Sequence, residues 1–306
     1  MTYKKIEGLI AAPFTPMDAA GALQLSVIPE YYKRLKQNSV SGAFIIGSTG
    51  EGVSLSMPEK KQVITAWANL TSKDPDFILI PFLGGTSLAD CTELAQFSRE
   101  AGADAVSFTA PFYFKPSSAS QLAACCRKVA DAVPDLPFYY YHIPVLTGVG
   151  IPVYDLLQEV NGMIPNFVGV KYTHEDFMDF LSCIHYADGK YDMLWGRDEN
   201  MLSALALGTR GAVGSTYNYV PALYLELIRA FEERNLQKAA RLQQLSIDLI
   251  RLLGKYGGIS VGKGYMKLAG LDCGEFRLPV RNMDAAQREK FREDVRNLHL
   301  DPYFLK

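Results

Sequence analysis

Short apolar runs alternate with longer amphipathic stretches through about residue 216. Apolar runs of strand length, closed by glycine or proline, predict buried parallel strands rather than helices. Gly8–Ala12 is the first such run and stops at Pro13; a helix is expected from Ser26 to about Gln37. Gly42–Ile46 follows and runs into Gly47-Ser48-Thr49-Gly50-Glu51. Met57-Pro58-Glu59 opens a helix, because proline is tolerated in the first helical turn. Phe77–Phe82 is the third run, and Ser87 is placed to cap the next helix, which ends near Gly102. Ala105–Thr109, Phe138–Tyr141, Phe167–Thr173, Met193–Trp195 and Gly211–Ser215 supply five more.

Eight strands with helices between them predict an α/β fold, a (β/α)8 TIM barrel, rather than a two-domain doubly wound sheet. The first strand is not followed by G-x-G-x-x-G, which argues against a dinucleotide-binding sheet. From Pro221 to about Gly254 the pattern is helical, in two segments parted near Asn235. Further helices are expected from about Lys263 to Ala269 and from about Asp284 to Asn297. The expected organisation is a barrel over residues 1–220 and a C-terminal helical extension of the same domain over 221–306.

The 306 residues carry a formal net charge of −2. That balance, with a pI near 6.1, argues against a nucleic-acid surface. Neither a membrane-spanning apolar run nor a secretory leader is visible, and no block of like charge suggests a membrane patch. The five cysteines are odd in number and form no C-x-x-C pair, which fits a reducing cytoplasm. The scattered histidines, His142 and His174 among them, make no metal-ligand spacing, so no metal is expected.

The chemistry of a parallel barrel sits at the C-terminal ends of its strands. The sixth run ends in a lysine, Lys171. An amine pointing into the barrel would be desolvated, and its pKa would fall towards the range where it is a nucleophile; alternatively it snorkels to solvent. The other strand ends offer Ser48, Thr49, Tyr141, Thr173, Gly196, Asp198, Glu199 and Ser215. Each has a structural alternative. Gly47–Gly50 serves equally as a tight turn or as a cradle of N–H groups for a carboxylate. Tyr141 is a core ring or a pocket phenol; period-two alternation puts it on the same side as Tyr139 and opposite Tyr140. Asp198-Glu199 is a helix N-terminal pair or a binder of hydroxyls.

Gly-Ser-Thr-Gly-Glu at 47–51, Tyr-His-Ile-Pro at 141–144, Gly-Val-Lys at 169–171 and Gly-Ser-Thr-Tyr-Asn at 214–218 together resemble the dihydrodipicolinate synthase and N-acetylneuraminate lyase superfamily. The stretch from Pro137 to Gly148 is most similar to its lyases of animal type. Sister synthases usually carry an arginine for a second carboxylate where this chain has Leu146, and His142 stands where bacterial members commonly have asparagine. The resemblance implies a Schiff-base aldolase that reversibly cleaves N-acetylneuraminate (sialic acid) to N-acetylmannosamine and pyruvate, with no cofactor. It implies that Lys171 forms the imine, that Ser48 and Thr49 hold the carboxylate, and that Tyr141 shuttles a proton. Thr173, Gly196, Asp198, Glu199 and Ser215 would hold the sugar-derived chain. Tyr113 would reach a neighbouring subunit's site in a homotetramer. The alternatives are a dihydrodipicolinate synthase-like enzyme, a 2-keto-3-deoxy sugar acid aldolase, and a non-catalytic binder of pyruvyl compounds.

Overall fold

Eight short parallel strands carry the expected apolar runs in the computed structural model, which describes residues 3–306. They are β1 (Gly8–Ala11), β2 (Gly42–Ile45), β3 (Ile78–Pro81), β4 (Val106–Thr109), β5 (Phe138–His142), β6 (Phe167–Tyr172), β7 (Asp192–Trp195) and β8 (Gly211–Gly214). The ladder runs β3-β2-β1-β8-β7-β6-β5-β4. Its two ends meet through a parallel bridge between Phe82 and Ser107, just past β3, and Leu83 N donates to Ser107 O at 2.7 Å. The β3–β4 seam is thin in part because Pro81 brings no N–H to it. The eight strands thus form a TIM barrel, as the pattern predicts.

The strand ends differ from the sequence expectation by a residue or two. Ile46 leaves β2 because its φ is +49°. Asp192 joins β7 ahead of the apolar run. Hydrogen-bonding caps set several of the helix starts. Ser87 Oγ accepts from Asp90 N at the head of the helix Leu88–Glu100. Ser56 and Glu59 form a capping box on the helix Met57–Thr71. The helix Pro221–Glu232 gives way to Leu236–Tyr256 at the capping residue Asn235, and Val261–Leu268 and Ala285–Asn297 follow.

These C-terminal helices pack on the barrel. The ring of Tyr219, just past β8, stacks on Tyr265 with centroids 4.7 Å apart, and Tyr265 meets Phe291 edge-on at 4.8 Å. The helix Leu236–Tyr256 reaches the loop after β7, where Gln243 Nε2 donates to Asp198 O at 3.2 Å and Ser246 Oγ does so at 3.3 Å.

The barrel interior is filled in layers, as the fold requires. Low in it, Tyr139 Oη lies 2.7 Å from Asp192 Oδ2 and 2.7 Å from Tyr3 Oη. Tyr141, two residues along β5, meets Phe44 and Phe82 in the layer above. Tyr140, between them, packs towards His142 outside the barrel. Gly169 on β6 makes room for the lower layer, since a Cβ there would strike the Asp192 carbonyl and stand 2.8 Å from Tyr139 Cε1. Overpacking of this kind costs about 1–3 kcal/mol or more. Gly169→Ala is therefore expected to lower the midpoint of thermal unfolding by several degrees; a midpoint equal to that of the parent would refute the close approach.

Candidate active site

Lys171 is the fifth residue of β6 and lies opposite Tyr141 of β5 and Leu194 of β7. Alternation along the strand turns its side chain inward, and it is only 4% exposed. Its Nζ lies 4.0 Å from the centroid of the Phe44 ring and 4.1 Å from that of Tyr141. Among the described residues no carboxylate forms an ion pair with it. Burial brings its pKa down to about 7, against the weaker opposing pull of the Asp198 carboxylate. A fall of that size corresponds to on the order of 5 kcal/mol. Burial outweighs that pull, and the neutral amine is available near neutral pH.

The Tyr141 phenol shares this enclosure. Burial pushes its pKa up to about 12, although the neighbouring hydroxyls of Ser48 and Thr173 pull it down. Thr109 Oγ1 donates to Tyr141 O at 2.9 Å and holds the strand end. Thr173 Oγ1 is buried and has no hydrogen-bond partner among the described residues. A side chain at Gly196 would collide with that hydroxyl, so the glycine is what lets the β7 end pack against Thr173.

Ser48 and Thr49 occupy the sharp turn that leaves β2. Left-handed backbone brackets it, at Ile46 (φ +49°) and Glu51 (φ +58°). Such a conformation in a β-branched residue is a genuine outlier, costing about 1–3 kcal/mol. The turn persists because it is held from several sides. Gly52 N donates to Gly47 O at 3.1 Å and Glu51 N to Ser48 O at 3.2 Å. Thr15 Oγ1 donates to Gly50 O at 2.6 Å. The buried Glu51 carboxylate accepts from Lys263 Nζ at 3.1 Å and from Arg277 N at 2.9 Å.

Asp198 and Glu199 begin the 3-10 turn Asp198–Asn200 after β7. The two carboxylates differ in environment. Asp198 is buried, and its Oδ2 accepts from Thr216 N at 3.0 Å and Thr216 Oγ1 at 2.6 Å. Its Oδ1 has no partner among the described residues. Burial pushes its pKa up to about 6 despite the Thr216 bonds. Glu199 is more open and accepts from Arg197, which also pairs with Glu175. Ser215 follows β8, where its carbonyl accepts from Asn218 Nδ2 at 2.7 Å.

The fold thus gathers Lys171, Tyr141, Ser48, Thr49, Thr173, Gly196, Asp198, Glu199 and Ser215 at the C-terminal ends of β2, β5, β6, β7 and β8. Tyr113 is not among them within one chain: it is 77% exposed, its ring edge-on to Phe114. His142 faces away from the barrel interior and packs on Tyr172 and His174; burial lowers its pKa to about 3. Leu146 is 63% exposed. No cluster of three or more metal-binding side chains occurs among the described residues. The sequence reading missed Phe44, which faces the amine, and Thr216, which orients Asp198. It also missed Lys263, whose partner Glu51 lies 212 residues earlier, a separation over which no local signal carries.

The sequence profile of the dihydrodipicolinate synthetase family matches residues 5–298. N-acetylneuraminate lyase A of Xenopus laevis is 41% identical over 281 residues, covering 90% of this chain and 91% of that protein. The N-acetylneuraminate lyase of Homo sapiens is 40% identical over 282 residues, covering 91% and 88%. The solved N-acetylneuraminate lyase of Proteus mirabilis superposes with a TM-score of 0.93 at 38% identity, over 97% of this chain and 100% of that one. Motif order, barrel and near-full-length similarity agree, and this chain belongs to the dihydrodipicolinate synthetase family.

Proposed function

We propose that this protein is a Schiff-base carbon–carbon lyase that reversibly cleaves N-acetylneuraminate to N-acetylmannosamine and pyruvate. The observation that carries the proposal is the amine of Lys171, desolvated and free of any carboxylate partner among the described residues, beside the Tyr141 phenol at the barrel mouth. The names of the relatives supply the sugar. Leu146 offers no fork of donors to a second carboxylate, which weighs against a dicarboxylate-forming synthase.

The bond to be broken joins C3 and C4, beside the C2 ketone of the open-chain sugar acid. Neutral Lys171 adds to C2, and the resulting carbinolamine takes up a proton and loses water to give a protonated imine. The imine accepts the electron pair of the breaking bond as an enamine, which replaces an unstabilised carbanion. The C4 hydroxyl must lose its proton as the aldehyde forms. A phenol held near pKa 12 is a poor base at neutral pH. Tyr141 therefore acts through a relay in which the substrate carboxylate, held by the Ser48–Thr49 turn, passes the proton on. Protonation at C3 and hydrolysis of the imine release pyruvate. Thr173, Gly196, Asp198, Glu199 and Ser215 line the place of the sugar-derived chain. The assembly in this proposal is a homotetramer in the cytoplasm, with Tyr113 reaching a neighbour's site. No helix among the described residues is long and apolar enough to cross a membrane.

Three outcomes test the scheme. Borohydride reduction in the presence of pyruvate is expected to add a pyruvyl mass to the protein, and Lys171→Ala is expected to lose both that adduct and turnover; near-parental cleavage by the variant would refute the assignment. Tyr141→Phe should still form the adduct while sugar cleavage falls by about 10²–10⁴-fold; equal loss in both assays would remove the relay. The neutral amine is the reacting form, so the rate of adduct formation at saturating pyruvate should rise as pH increases through about 7 and then level off. A rate that falls across that window would contradict a Lys171 amine of lowered pKa.

A further inference from the structure

The pair Lys263–Glu51 is the most deeply buried ion pair among the described residues, with both side chains almost wholly out of solvent. It joins the helix Val261–Leu268, in the C-terminal extension, to the turn after β2. Glu51 is fully engaged, one carboxylate oxygen on Lys263 Nζ and the other on Arg277 N. Lys263 also donates to Glu275 O at 2.9 Å, and its Nζ lies 4.8 Å from the centroid of the Phe276 ring. The next residue of the same segment, Arg277, grips Glu59 through two nitrogens at 2.6 and 3.1 Å. The segment 275–277 therefore holds the β2 turn by Glu51 and the helix that follows it by Glu59.

Burying two charges is a costly way to gain stability, since apolar residues of similar volume often do as well or better. The location suggests another purpose. Glu51 is the left-handed residue that ends the strained turn, and its carboxylate is bonded to groups outside that turn. Without this anchor the turn can relax towards ordinary φ values, and the N–H groups and hydroxyls of Ser48 and Thr49 lose their aim.

We infer that Glu51 and Lys263 are positioning residues, which fix the Gly47–Gly50 turn and so set the affinity of the site for the substrate carboxylate. The inference rests on the lyase proposal, in which that turn holds the carboxylate. It also gives the C-terminal extension a part in substrate recognition.

The test compares two ketones, pyruvate and hydroxyacetone, which lacks the carboxylate. Borohydride trapping is followed against ketone concentration in the parent protein, in Glu51→Gln, and in Glu51→Gln combined with Lys263→Met. The double variant removes both charges, so it leaves no unpaired buried ion if the single variant fails to fold. In either variant the half-saturating pyruvate concentration is expected to rise about ten-fold or more, the loss of one well-aimed charge-assisted hydrogen bond. The maximal trapping rate should stay within about three-fold of the parent, and the hydroxyacetone curve should be unchanged. Unchanged half-saturation for pyruvate, or equal weakening for both ketones, would overturn the inference and leave the pair a stabilising contact. Failure of the parent itself to trap either ketone would overturn the lyase proposal, and the positioning role with it, and is seen separately from any effect of the substitutions.

Discussion

The removal of one ammonium group from water is the constraint on which the site depends. Lys171 could have been given a carboxylate partner; it was given two aromatic faces instead. Rings exclude water, lower the local dielectric and form no ion pair, so the penalty falls on the charged form of the amine. Asp198 is near enough to pull the other way, but the burial of the amine is the larger effect. A formal ion pair at Lys171 would have stabilised the cation and silenced the nucleophile.

The same barrel holds a second ionic arrangement with the opposite outcome. Lys263 is about as deeply buried as Lys171, yet it has a carboxylate, a backbone carbonyl and an aromatic ring around it. Burial lowers its pKa as well, but the attraction of Glu51 opposes the fall. Two buried lysines in one fold thus differ by partner rather than by depth. One is left reactive; the other is tied into the backbone geometry of the strained turn after β2.

That turn shows how strain is carried. The backbone at Ile46 and Glu51 is held in a conformation those residues avoid, and the contacts that hold it come from the loop after β1, from the turn itself and from the C-terminal extension. The helical extension is consequently more than a cover for the barrel. Its contacts fall on the loops after β2 and β7, through Lys263 and Arg277 in one case and Gln243 and Ser246 in the other.

Short apolar runs sufficed to place all eight strands, because each strand is buried on both faces and most runs end at or near a glycine or proline. Period two along Phe138–His142 likewise put Tyr139 and Tyr141 on one side and Tyr140 on the other, a matter of covalent geometry alone; the barrel decided which side faces inward. The same logic named Lys171 and the strand-end hydroxyls, since a parallel barrel collects those ends on one face. What the chain order could not contain was proximity between distant segments. Whether Lys171 met water, a carboxylate or a ring depended on Phe44, 127 residues earlier. That Glu51 would find Lys263, and Asp198 would find Thr216, was decided only when the barrel closed and its extension folded back. Periodicity reports which face of an element is buried; which charge waits on the other side of the buried face is a property of tertiary packing.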